Sequence, residues 1–218
     1  NCFSKCNSLS EVTIPPSVTI IESNCFSKCN SLSEITIPPS VTIIEDESFS
    51  ECHSLSKFTF PPLITDIAGL LFYQCDQLKQ VTIPDSVTKI GEKAFAECLL
   101  LGQIKLPMSL IGIEKEAFAD CKSLKEIEIP SSVEYIEGYT FSNCISLSKV
   151  TFGSSSKLKK IASGTFDCCK SLTKITIPPS VIIIEDYSFE NCSSLTEIEI
   201  PSTTTVIDCA FEGCPGEN

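Results

Sequence analysis

Apolar positions along this chain recur with a period of about 23 residues. Phenylalanine stands at Phe3, Phe26, Phe49, Phe72, Phe95, Phe118 and Phe141, and Phe166, Phe189 and Phe211 continue the series with small slips. A cysteine follows each phenylalanine by three residues, from Cys6 to Cys214. A leucine follows each cysteine but the last by three more, from Leu9 to Leu195. Fixed offsets between an aromatic ring, a thiol and a leucine mark an array of repeats, and an array of this period predicts a solenoid.

Within each repeat the pattern changes twice. After the leucine comes alternation with β-branched residues, as in Val12-Thr13-Ile14-Pro15 and Ile127-Glu128-Ile129-Pro130. It predicts a short strand, which the proline ends because it has no N–H for a ladder. A Val-x-x-Ile step follows, as from Val18 to Ile21 and from Val87 to Ile90; it predicts a second, shorter strand on the opposite side. The Phe-x-x-Cys-x-x-Leu corner is too short for an α-helix and predicts a turn or a 3₁₀ turn. One such coil cannot bury its own apolar face, whereas stacked coils can. The expected fold is therefore a mostly-β repeat solenoid of about nine coils, forming a single domain over residues 1–218. One segment breaks the pattern. At Gly153-Ser154-Ser155-Ser156-Lys157 a glycine replaces the strand-ending proline and two extra residues lengthen the coil, which predicts a bulging loop.

The consensus Cys-x-x-Leu-x-x-Ile-x-Ile-Pro-x-Ser-Val-x-x-Ile-x-x-x-x-Phe, clearest at 75–95 and 121–141, resembles the BspA-like, treponemal-type class of leucine-rich repeats over essentially the whole chain. The resemblance implies a right-handed stack with a parallel β-sheet on its concave face, and short second strands and 3₁₀ turns on the other side. It also implies a non-enzymatic protein. Repeats of this class occur in surface proteins of mucosal bacteria and protozoa, many proposed to bind host extracellular proteins or cells. The family's usual glycine after the second-step isoleucine is kept at Gly91 but is Glu22, Glu45, Glu114, Glu137 or Glu185 elsewhere, which alters the surface and leaves the fold intact.

Fourteen cysteines would ordinarily raise a disulfide framework. Ten of them share one register, however, so they are expected to stack as a column of buried free thiols. Cys2 and Cys25 share a second register, close enough between adjacent coils to oxidise, and Cys168 and Cys209 are further extras. The single histidine, His53, occupies a corner position held elsewhere by Asn7, Asn30, Asp76 or Lys122, and reads as a turn residue. With one histidine, no paired Cys-x-x-Cys knuckles and no glycine-rich phosphate loop, neither an enzyme, a metal site nor a cofactor is expected. A net charge of -12 argues against nucleic acid or anionic lipid as partner. The apolar run at 67–73 is far short of the roughly 20 residues needed to span a bilayer.

What remains is surface. On the long strands one outward column is Glu11, Glu34, Lys57, Gln80, Gln103, Glu126, Lys149, Lys174 and Glu197. The column beside it is Thr13, Thr36, Thr59, Thr82, Lys105, Glu128, Thr151, Thr176 and Glu199. Solenoids use such extended faces for recognition, so this face is the expected binding site. On the second step Glu22, Glu45, Glu114, Glu137, Glu185 and Asp208 form an acidic ridge, read as a solubilising face with weak cation affinity. Ile20, Ile43, Tyr135, Ile182, Ile183 and Val206 are expected to point outward beside it, a lesser contact flank. The expected function is a surface or secreted adhesion-type module that binds a host or neighbouring-cell protein. The rival is a cytoplasmic scaffold for a cytoskeletal or signalling protein, favoured by so many thiols. The chain starts inside a repeat already under way, so its ends read as those of a fragment, with exposed terminal coils inviting end-to-end association.

Overall fold

The computed structural model describes residues 2–215, which wind into a parallel β-solenoid without a helix among them. The short strands are β1 (Ile20–Ile21), β2 (Ile43–Ile44), β4 (Asp66–Ile67), β6 (Lys89–Ile90), β7 (Gly112–Ile113), β9 (Tyr135–Ile136), β11 (Lys160–Ile161), β13 (Ile183–Ile184) and β15 (Thr205–Val206). The long strands are β3 (Lys57–Thr59), β5 (Gln80–Thr82), β8 (Glu126–Ile129), β10 (Lys149–Phe152), β12 (Lys174–Thr176) and β14 (Glu197–Glu199). Every pairing is parallel and joins equivalent residues of adjacent coils, as in Ile20 with Ile43 and Lys57 with Gln80.

The predicted columns form the core. In β8, Ile127 and Ile129 are buried while Glu126 and Glu128 are exposed, which is the pleat acting on the alternation. In the short strands β1 to β13 one isoleucine per coil faces inward, from Ile21 to Ile184, and each is buried. Val206 belongs to this inward register, paired with Ile184. It was expected to point outward, and it is exposed because no further coil among the described residues covers it. The phenylalanines stack ring on ring from Phe3 to Phe211, with centroids 5.0–5.9 Å apart and planes nearly parallel. At the third coil Phe58 adds an edge-on contact, 4.8 Å from Phe72. Each fully buried side chain contributes about 1.5–3 kcal/mol before the entropy of ordering is counted.

The corner is built by a device the pattern did not announce. Around each phenylalanine of the column from Phe26 to Phe189 two residues have left-handed backbone: Asn24 (φ 58°) and Lys28 (φ 62°) flank Phe26, and Glu116 (φ 56°) and Asp120 (φ 59°) flank Phe118. N–H groups then alternate in direction. Those of Asn24, Phe26 and Lys28 donate to the next coil, at Asp46, Ser48 and Ser50. Those of Cys25, Ser27 and Cys29 close turns on Glu22, Asn24 and Phe26 of their own coil. The left-handed residues keep the expected turns separate, so none runs on into a 3₁₀ helix. A left-handed L-residue costs about 1–2 kcal/mol, offset here by the ladder of corner amide hydrogen bonds it makes possible.

The cysteine column closes this ladder. Cys52 Sγ donates to the Phe26 carbonyl at 3.1 Å, Cys98 to Phe72 at 3.3 Å and Cys192 to Phe166 at 3.1 Å. The Phe26 carbonyl also accepts the Cys29 N–H, so the thiol fills its second lone pair. Burial pushes the Cys52 thiol up to about 12 and those of Cys75, Cys98 and Cys121 well above the ordinary thiol range. They are neutral donors, not thiolates. Nine of the ten cysteines in the shared register are buried, and only Cys6, at the first coil, is exposed.

The break at 153–157 also has a physical reason. Gly153 N–H donates to the Ile129 carbonyl at 2.8 Å, a bond proline cannot make. A Cβ at Gly153 would stand 2.6 Å from Ser131 N, so no larger residue fits unmoved.

Candidate binding face

All eighteen outward residues of the long-strand columns, from Glu11 to Glu199, are exposed. Pairing sets them side by side: Thr13 with Thr36, Lys57 with Gln80, Thr59 with Thr82, Glu126 with Lys149, Glu128 with Thr151, Lys174 with Glu197 and Thr176 with Glu199. Gln103 and Lys105 lie on the same face in a segment that forms no strand. The face is thus a single surface of polar side chains over the buried row Phe58, Ile104, Ile127, Val150 and Ile175.

Its backbone ladder is discontinuous. Four short strands run unbroken on the other side, in the order β4-β6-β7-β9, whereas the long strands pair only as β3-β5, β8-β10 and β12-β14. Among the described residues no backbone hydrogen bond joins 103–105 to either neighbour. The face is hollowed at these interruptions. One hollow, ≈ 920 Å³, lies over 103–106 and reaches from Lys57 to Thr151. A second, ≈ 780 Å³, separates β10 from β12 at the longer coil, and a third, ≈ 410 Å³, lies between 34–37 and β3.

Charges on the face are partly matched. Lys174 Nζ lies 2.9 Å from Glu199 and 3.4 Å from Glu197, and Lys149 Nζ lies 3.9 Å from Glu126. The Lys174 hydrogen bond, with one from Thr176, holds the Glu199 carboxyl below its ordinary range. These pairs are solvent-exposed and contribute little to stability.

The acidic ridge differs from its sequence reading. Its carboxylates accept backbone N–H groups of the coil before: Glu45 from Ser23 (2.9 Å), Asp46 from Gly69 of the following coil (2.8 Å), Glu114 from Glu92, Glu137 from Lys115 and Glu185 from Ser163 (each 3.1 Å). They tie coils together. The Ser23 backbone and hydroxyl bonds hold the Glu45 carboxyl below its ordinary range. Beside the ridge Ile20 and Ile43 are register partners and exposed, as expected, and Ile182 is exposed further along. Tyr135 is only half-buried, its ring lying over Gly112, where a Cβ would meet it at 1.9 Å. His53 is an exposed turn residue with Nδ1 3.6 Å from Asp76.

No helix among the described residues is long and apolar enough to cross a membrane. No curated protein sequence matches the chain. Among solved structures it is similar to a leucine-rich repeat protein of T. pallidum, at 25% identity over 84% of this chain and 76% of that one, with a TM-score of 0.58. A leucine-rich repeat protein of Eubacterium ventriosum matches at 20% identity over 97% and 78%, also with a TM-score of 0.58. A leucine rich cell surface protein of Faecalibacterium prausnitzii matches at 28% identity over 96% and 78%, with a TM-score of 0.49. The profile of the BspA type leucine rich repeat region matches in 6 copies across residues 1–101 and 88–217. With its 23-residue coils, Phe–Cys corners and strand-lined face, the chain belongs to the BspA-type leucine-rich repeat family.

Proposed function

We propose that this solenoid is a surface-displayed binding module that contacts host or neighbouring-cell proteins through its long-strand face. The observation that carries the reading is the contrast between core and face. Inward columns repeat the same residue types in nearly every coil, whereas of the eighteen exposed residues one column mixes Glu, Lys and Gln and the other sets Lys105, Glu128 and Glu199 among threonines, around a broad hollow. A surface under no packing constraint but varied and concave suits recognition of one particular protein. The surface setting follows from the family, whose repeats occur in surface proteins.

Two experiments test it. Antibody staining of intact source cells should give signal without permeabilisation; signal only after permeabilisation would remove the surface setting. Labelled chain should bind host or neighbouring cells saturably, and Lys149→Glu with Lys174→Glu should weaken that binding without unfolding the protein. Binding lost only when Ile20 and Ile43 are made polar would move the site to the other flank. One observation favours a second reading, an intracellular scaffold: the thiols of Cys2 and Cys6 are free and exposed, which sits easily in a reducing compartment.

A further inference from the structure

Most lysines of this chain are already matched by carboxylates. Lys28, Lys89, Lys93, Lys115, Lys122, Lys157 and Lys160 each have a carboxylate within 4 Å, and so do Lys149 and Lys174 on the face. Seven lysines have none among the described residues, and three of them, Lys57, Lys79 and Lys105, line the hollow over 103–106, while Lys5, Lys125, Lys159 and Lys170 do not. A protein of net charge -12 thus keeps three unmatched cations together in one hollow of its long-strand face. Such a cluster attracts anionic groups locally although the protein as a whole is acidic.

We infer that this hollow binds an extended acidic segment of a protein, with its carboxylates on Lys57, Lys79 and Lys105. The inference rests on the face being a binding site and names the chemistry of its partner. The three lysines belong to successive coils, so at about 4.8 Å per step they span about 10 Å along the solenoid axis, the length of about three residues of extended chain. Carboxylates two residues apart on one side of such a chain are about 7 Å apart, within the reach of flexible lysine side chains on neighbouring coils. Gln80 and Gln103, exposed beside the lysines, offer amide donors and acceptors to a peptide backbone. Met108, 63% exposed at the rim, offers an apolar contact that a peptide can use and a purely anionic polysaccharide cannot. Glu126 and Glu128 at the far side of the hollow repel further carboxylates, so the acidic stretch ends before them.

The test uses the whole chain and a fluorescein-labelled hexapeptide of alternating glutamate and valine, followed by fluorescence anisotropy at low salt. Saturable binding is expected, weakened at least tenfold by Lys57→Glu with Lys105→Glu and unchanged by Lys28→Glu, which lies off the face. The lysine–valine counterpart should not bind. Circular dichroism and the urea midpoint confirm that each variant is folded. Equal binding of the acidic peptide to the double variant, or equal binding of the basic peptide, overturns the inference. So does heparin binding that needs these lysines while the peptide does not bind, which would assign the hollow to a sulfated polysaccharide. If the peptide fails while face variants still abolish cell binding, the acidic-segment inference falls and the binding-face reading stands. If face variants leave cell binding untouched, the reading itself falls, whatever the peptide does.

Discussion

At the corner of the solenoid, coil after coil presents the same residues in the same geometry: Phe stacked on Phe, Cys bonded to the Phe carbonyl beneath it, and left-handed residues to either side. The long-strand face next to it mixes Glu, Lys, Gln and Thr at its outward positions and has a ladder that lapses at 103–105 and between β10 and β12. Both regions belong to the same chain at the same repeat length. The corner is uniform because stacking and ladder geometry allow few alternatives to each residue. The face is freer to vary because its side chains meet only water and exposed, weakly stabilising partners, so substitution there has little effect on folding. Stability and the proposed recognition thereby fall to different parts of one coil, and the separation can be tested from either side.

The largest effect should come from the corner. Phe118 is fully buried, with ring neighbours at 5.2 and 5.4 Å, so Phe118→Ala should lose about 3–5 kcal/mol. Phe211, partly buried and stacked on Phe189 alone, should lose clearly less. Urea unfolding of the two variants decides; equal losses would mean that the stack is not what holds the coils. Gly153→Ala comes next, because its Cβ would press on the Ser131 backbone at 2.6 Å. Overpacking of this kind costs about 1–3 kcal/mol, and a variant as stable as the parent would show that the longer coil yields freely. Cys98→Ala removes both volume and the donor to Phe72 and should cost about 1–2 kcal/mol. The exposed Cys6 should tolerate the same change without a measurable shift in unfolding midpoint. In the native protein a maleimide should label Cys2 and Cys6 well before any thiol of the buried column.

The corner and the face also differ in how far their sequence discloses them. The repeat, the inward columns and the burial of the cysteines are legible because each follows from periodicity, and periodicity is what the chain displays most plainly. The left-handed residues are barely legible, since Lys28, Glu51 and Glu97 have no intrinsic preference for that conformation; Asn24, Asp120, Asn143, Gly164, Asn191 and Gly213 in the same positions hint at it. Tertiary hydrogen bonds hold those residues there, and nothing local announces them. The acidic ridge misleads for the same reason. As a string it is a row of like charges, and only stacking brings the Glu45 carboxylate onto the Ser23 N–H. On the long strands the alternation tells which residues point outward, all of them rightly. The ladder's lapses depend on coil-to-coil spacing, so the hollow and its unmatched lysines emerge only from the structure.

A smaller effect concerns the ridge. Hydrogen bonds to the Glu45 carboxylate lower its pKa in the folded state, so their contribution is present above the unfolded value, near 4.3, and is lost as pH falls through the folded value. Glu45→Gln should therefore melt lower than the parent at neutral pH, and the gap should narrow as the buffer is taken below about pH 4. A gap that persists unchanged into acid would show that the carboxylate's charge is not what bonds the coils.

The smallest effect on folding should come from the face itself. Lys149 and Lys174 are exposed, and their pairs with Glu126, Glu197 and Glu199 lie in solvent. Reversing both to glutamate breaks those pairs and sets like charges side by side, yet touches no buried group. The urea midpoint should stay near that of the parent while binding to cells weakens. The reverse pattern should hold at the corner, where Cys98→Ala lowers the midpoint but leaves binding by the still-folded protein intact. Two variants that move stability and binding together would mean that the face is held in shape by the residues that recognise the partner, and the division of labour across the coil would fail.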